Sequence, residues 1–279
     1  MLFPMSIVKI FLYRLKKYLK WSCLAFLFCL VFNYLTELFA FNLCTKGKDC
    51  QSDFSIMCYN VKCSDGLYKK NQIEIAKLII KESPDVVFLC EFHRSKSREL
   101  DSIICQSGEY KQYYRSKSNC IFYSKFAIDS INGIDTQTTN GVWAKNNLIH
   151  VFHPKGVVTI VGCHLSSSRK DLIGGFRNRV AEADSIYKVV CDEKGPIIVV
   201  GDFNDVSGSY TLSCIKDIGL SDAWWEGGFG YGTTFHNKWL RLRLDHILYP
   251  KDKLKLQSVK VINSDLSDHN ALIADFSFK

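Results

Sequence analysis

Eight residues stand where apolar runs end: Asn60, Glu91, His164, Asp202, Asn204, Asp245, Asp268 and His269. The clearest case is 196–205, PIIVVGDFND, in which the β-branched residues 197–200 stop at a glycine followed by acids and an amide. Such a run reads as a strand covered on both faces. A strand ending this way delivers hard oxygen ligands to the mouth of a sheet, where α/β folds carry their sites. On its own GDxND reads equally well as a polar turn, since Gly, Asp and Asn dominate turns. Repetition of the pattern along the chain decides against that. Carboxylates bind a hard cation such as Mg²⁺ and leave it several waters. The cation neutralises phosphate charge, and a His polarised by an Asp completes an electrostatic clamp. The residue types therefore point to metal-assisted phosphoester hydrolysis.

The elements that must position these groups alternate between strand and helix. Residues 53–62 predict a strand with Asn60 at its tip, and 85–91 a buried strand ending in Glu91. Between them, 71–82 has Ile73, Ala76, Leu78, Ile79 and Ile80 near helical spacing, with Pro84 marking the stop. A helix is expected around 97–105, and strands over 119–128 and 141–152 with Gly133 and Gly141 in the turns between. Residues 156–165 predict a buried strand carrying His164, 166–175 a loop carrying Arg169 and Lys170, and 176–191 a long helix. A short helix at 210–218 precedes an aromatic, Gly-rich loop at 224–235; strands follow at 242–249, 259–262 and 271–278. No internal repeat or low-complexity tract interrupts this order.

In sequence, YNV at 59–61, CE at 90–91, GCHL at 162–165, GDFND at 201–205, LDHIL at 244–248 and SDHNAL at 267–272 resemble the endonuclease/exonuclease/phosphatase family, over about residues 53–279. That family includes secreted deoxyribonucleases, abasic-site endonucleases, neutral sphingomyelinases and inositol-phosphate phosphatases. The resemblance implies an α/β four-layer sandwich, with two mixed sheets face to face and helices outside. It implies Glu91 as principal metal ligand, Asn60 in the metal's shell and Asp268 close to the metal. Mg²⁺ is the implied ion, with Mn²⁺ the alternative. By the same resemblance Asp202 orients or deprotonates the attacking water, Asn204 holds the scissile phosphate, and His269 contacts a phosphate oxygen, oriented by Asp245. His164 matches the branch that places a His, rather than a Tyr, opposite the phosphate. Abasic-site endonucleases carry a Tyr-containing block where this chain has CHLSSS, which argues against a dedicated DNA-repair role. Arg169 and Arg177 are candidate phosphate contacts, with solvated loop and helix-face roles as the bland alternatives. The aromatics Trp224, Trp225, Phe229, Tyr231, Phe235 and Trp239 suit base stacking, lipid headgroups or plain packing.

The chain has 279 residues and a formal charge of +8, of which Lys9, Arg14, Lys16, Lys17 and Lys20 contribute five before the first acid, Glu37. The remainder is too weakly basic to indicate nucleic acid by charge alone. Those positives form a basic tail over 1–20 ahead of an apolar run at 21–43, close to the ~20 residues that span a bilayer. The run lacks the small-x-small end of a signal peptide. It predicts an uncleaved single-pass anchor with the N-terminus cytoplasmic and the catalytic domain, 45–279, on the other side. The twelve cysteines show no zinc spacing. Cys58, Cys90 and Cys163 read as small buried hydrophobes, and Cys44 and Cys50 are a candidate pair in an oxidising space. The sequence thus favours a membrane-anchored, Mg²⁺-dependent phosphodiesterase with a nucleic acid substrate and no obligate protein partner. A phospholipid or sphingolipid phosphodiesterase is the second reading, and a non-catalytic binding module on the same fold the third.

Overall fold

The computed structural model describes residues 18–29, 31–32, 35, 41–42, 52–63, 69–114, 119–129, 131–139, 141–169, 171–191, 193–238 and 240–279. Its centre is the strand Ile197–Asp202, buried along its whole length. It pairs in parallel with Gly156–His164 and antiparallel with Asp245–Pro250. This sheet has seven strands. Leu220–Asp222 forms one edge, and Gly141–His153 carries both Ala127–Ile128 and Asn132–Thr138 on the far side. The second sheet has six strands in the order Leu254–Ile262, Ala271–Phe278, Phe54–Asn60, Val86–Cys90, Cys120–Ser124 and Lys111–Tyr114.

Successive strand residues point to opposite faces, which sorts the apolar runs into three packed layers of side chains. Ile198, Val200, Ile160 and Ile247 of the first sheet meet Ile56, Phe88, Phe122 and Leu272 of the second. On the outer face of the first sheet, Val161, Val199 and Leu248 pack against Ala183, Ile186 and Leu212 of the helices Leu172–Val190 and Tyr210–Lys216. On the outer face of the second, Met57, Val87 and Leu89 pack against Ile75, Ile79, Leu100 and Ile104 of the helices Gln72–Glu82 and Arg98–Gln106. The result is the four-layer sandwich expected. Gly162 lets the sheets close, since a Cβ there would sit 2.4 Å from the Phe88 ring.

Several expected boundaries move. The helix after His164 begins at Leu172, not 176, because the Asp171 side chain accepts from Gly174 N and caps it. The glycines expected in the loop lie inside that helix, where a Cβ on Gly175 would press on the Ser168 backbone. Gly133 lies within the strand Asn132–Thr138, not in a turn. The expected aromatic loop contains a short helix, Ala223–Gly227, capped by Asp222, and the strands Gly230–Tyr231 and Phe235–Asn237. The expected strand 242–249 divides into Leu240–Leu242 and Asp245–Pro250.

The predicted anchor is described only in part. Residues 18–29 and 31, 32 and 35 are helical. Among the described residues no helix is long and apolar enough to cross a membrane. Phe41–Asn42, at the end of the expected span, forms a strand on Gly230–Tyr231, with Asn42 Nδ2 donating to Trp224 O at 2.7 Å. Most of the basic tail, Lys170, Trp239 and the Cys44/Cys50 candidate pair lie outside the described residues.

Candidate active site

Strand register brings the polar ends together. Asp202 is paired across the first sheet with His164 on one side and Asp245 on the other. In the facing sheet Asn60 is paired with Cys90, so Glu91 follows directly at the same edge. Both sheets therefore end their chemistry at one mouth. Gly201 makes the central strand's exit possible: its φ is +138°, and a Cβ would lie 2.0 Å from Cys163 O. Glu91 and Asn204 hold φ of 53° and 48°. Left-handed backbone at a glutamate stores strain of a kind that clusters at functional sites.

Asn60 Nδ2 donates to Glu91 Oε1 at 3.1 Å and to Asp202 Oδ2 at 3.0 Å. Its Oδ1 accepts from Lys62 N at 3.2 Å. Asn60 thus turns its amide nitrogen, not its carbonyl, toward the carboxylates and holds them side by side. Asn204 closes the other flank, donating through its backbone to Asp202 Oδ1 at 2.8 Å and through Nδ2 to Leu165 O at 2.9 Å. His269 Nδ1 lies 2.7 Å from Asp245 Oδ2, and its Nε2 is 3.8 Å from Asp202 Oδ2. The ring packs edge-on against Phe235, centroids 5.1 Å apart. His164 Nε2 is 3.8 Å from Glu91 Oε1.

Burial pushes the Asp202 carboxyl above its ordinary range; the His269 charge opposes this and the Asp245 charge adds to it. Burial would lower His269, but Asp245 and then Asp202 outweigh it and raise the imidazole to about 9. The site therefore holds a cationic imidazole beside a carboxylate of raised proton affinity.

A cleft of about 370 Å³ opens over this edge, lined by Glu91, His164, Asp202, Asn204, Arg169, Thr139 and Asn178 among others. Arg169 lies over the Phe235 ring, 5.5 Å from its centroid, with Nη2 3.9 Å from Asp268 Oδ2. Arg177 is exposed on its helix and is not among the lining residues. Asp268 receives Lys62 Nζ at 2.7 Å, a cation that no periodicity in the sequence singled out.

Two further groups escaped the sequence reading. Thr234 Oγ1 accepts from the backbone N of Leu244 and Asp245, while Asn270 N donates to Thr234 O, tying the dyad's two chain segments together. Behind the GDFND turn, Arg243 and His246 Nδ1 both meet Asp222, and His246 Nε2 lies 3.1 Å from Asp205 O. Buried Arg179 joins Asp205 to Ser166 O and Ser168 Oγ. Only the LDHIL block hinted at any of these partners.

The residues suit a hard divalent cation. Asp245 Oδ1 and Asp268 Oδ1 are buried with no hydrogen-bond partner among the described residues, and Asp202, Asp245 and His269 each offer a ligand atom within 4.8 Å of the others. Oxygen-rich donors of this kind bind Mg²⁺ or Mn²⁺. The Asp245–His269 hydrogen bond already occupies Nδ1, which leaves Glu91, open to the cleft, as the better-placed ligand.

The sequence profile of the Endonuclease/Exonuclease/phosphatase family matches residues 57–269. Among curated proteins none matches this chain. The fold resembles Danio rerio TDP2 complexed with a single-strand DNA product, with TM-score 0.66 and 18% identity, covering 80% of this chain and 98% of that one. It also resembles an endonuclease/exonuclease/phosphatase family protein from Leptotrichia buccalis, with TM-score 0.65 and 16% identity over 81% of this chain and 100% of that one. The catalytic domain of human Nocturnin gives 0.63 and 17%, covering 82% and 94%.

Proposed function

We propose that this chain, which belongs to the endonuclease/exonuclease/phosphatase family, is a divalent-metal-dependent phosphodiesterase acting on nucleic acid. One observation carries the reading: the Asp245–His269 pair faces Asp202, which Asn60 ties to Glu91 at the mouth of one cleft. A module that only binds has no need of this set.

Glu91 would hold the metal, with Asp268 close by and Asn60 steadying Glu91. The bound ion would supply Lewis-acid neutralisation of phosphate charge. Asp202, its proton affinity raised, orients the attacking water and takes its proton at Oδ2. His269, kept cationic by Asp245, donates from Nε2 to a non-bridging phosphate oxygen. Asn204 and His164 line the same cleft and orient the phosphate. Arg169 adds a guanidinium at the cleft's edge.

Nucleic acid is preferred because TDP2, a neighbour in fold, binds a single-strand DNA product, and because, among the described residues, no aliphatic side chain and no Phe, Tyr or Trp lines the cleft here. Lipid phosphodiester hydrolysis is the second reading, favoured by exposed Phe229 and by exposed Tyr231, whose ring packs against Phe41. We also propose that the apolar run from residue 21, up to the strand Phe41–Asn42, anchors the chain in a membrane with the domain on the non-cytoplasmic side. Exposed Trp21, Phe26, Phe28 and Phe32 in the described helical residues support this.

The test is hydrolysis of plasmid DNA, RNA, sphingomyelin and phosphoinositides in parallel, with Mg²⁺ or Mn²⁺ and with EDTA. Glu91→Gln removes one ligand charge at nearly constant size and should abolish most turnover. Activity that survives both EDTA and this substitution sinks the metal-dependent reading.

A further inference from the structure

The cleft is also lined by a polar group that the proposed reaction does not use. Asn178, on the helix Leu172–Val190, is 8% exposed and lines the cleft. Its Oδ1 accepts from Thr139 N at 2.9 Å and from Thr139 Oγ1 at 3.1 Å. Two donors on that oxygen fix the amide's orientation, since a flipped amide would set NH₂ against the Thr139 backbone N–H. Nδ2 therefore points away from Thr139, and it donates to no described residue.

Its polar neighbours have other commitments. Ser166 donates its N and Oγ to the two oxygens of Glu182. Ser167 Oγ accepts from Arg169 N, and Asp171 Oδ1 accepts from Gly174 N. Arg169 and Asp171, of opposite charge, both line the cleft, so the charge there is balanced and a neutral polar group is favoured over a second anion. A ligand that covered Nδ2 with an acyl chain would strip water from a donor and give nothing in return. A ligand carrying an acceptor oxygen would replace that water.

We propose that Asn178, pinned by Thr139, is the donor of a specificity subsite for a neutral acceptor oxygen of the nucleotide flanking the scissile phosphate. The subsite selects nucleotide diesters over acylated ones, and it rests on the phosphodiesterase reading above. The cleft volume, about 370 Å³, is within the range of pockets that take more than a bare phosphate.

The test compares wild type, Asn178→Asp and Asn178→Ala on a short oligothymidylate and on bis(p-nitrophenyl) phosphate, a diester with no flanking nucleotide. Asn178→Asp keeps an oxygen for Thr139 and turns the donor into an acceptor. Asn178→Ala removes the donor without adding charge. For both variants kcat/KM on the oligonucleotide should fall by on the order of tenfold more than on the minimal diester, with the difference in KM. A strand of abasic tetrahydrofuran residues then identifies the acceptor. A differential that persists assigns it to the backbone sugar, and one that vanishes assigns it to the base. Equal losses on both substrates, or no loss on either, overturn the subsite. Wild type that cleaves only the minimal diester also overturns the subsite alone, whereas wild type that cleaves neither removes the nucleic-acid phosphodiesterase reading with it.

Discussion

Replacing Asp245 with Asn asks whether His269 takes its charge from its neighbour. The wild-type imidazole is held at about 9 against an ordinary 6.5, because Asp245 and Asp202 outweigh burial. That gap is worth roughly 3 kcal/mol. Asp245 is the nearer carboxylate, at 2.7 Å against 3.8 Å for Asp202. Asp245→Asn keeps the shape and removes this charge, so burial should bring His269 to its ordinary value or below. At about pH 7.5 nearly every wild-type molecule carries the cation, against roughly one in ten of the variant at most. Loss of the fixed tautomer adds to this, so turnover should drop on the order of 10²–10³, as when an oxyanion donor is removed. His269→Ala should cost about as much, and the double variant little more than the worse single. Imidazole titration by NMR in EDTA should give midpoints near 9 and at or below 6.5 for wild type and Asp245→Asn. The stability sign follows. A raised folded pKa contributes fully below the unfolded value and is lost as pH climbs through the folded one, so wild type alone should weaken between about pH 6.5 and 9. Multiplicative losses in variants still folded by circular dichroism, or an unmoved His269 midpoint, would refute the pairing.

Burial would raise Asp222, but the Arg243 charge and then His246 hold its carboxyl well below the usual range. Its contribution to stability should be present above about pH 4 and fall away as pH drops toward the folded pKa. Asp222→Asn leaves Arg243 buried without its carboxylate and should cost roughly 3–5 kcal/mol at neutral pH. Urea melts at several pH values check this, and a loss under about 1 kcal/mol would mean the cluster is incidental. For the anchor, a reporter fused after Lys279 should be active only when exported. A cytoplasmic signal overturns the orientation.

Sequence alone sufficed to place Asn60, Glu91, His164, Asp202 and Asp245 at strand ends, for a physical reason. Residues that end a strand at one edge of a sheet are brought together by the register of that sheet, and apolar runs such as 86–90 and 197–200 announce their ends locally. The four-layer arrangement was legible only through the family resemblance, since period-2 alternation inside a continuous apolar run carries no signal. Helix Leu172–Val190 started earlier than expected because two glycines look like a loop until Ser168 and Asp171 are seen against them. What tertiary structure alone decided are the partners. The link from Lys62 to Asp268 spans 206 positions, that from Asn178 to Thr139 spans 39, and Arg243 reaches Asp222 through the interior. Periodicity records which face a residue belongs to, whereas a hydrogen bond between distant segments depends on how the sheets and helices stack. Asn60 illustrates the division. Its place at a strand's end was readable, but which amide atom faces Glu91 and Asp202 was settled only once Lys62 N had taken the other.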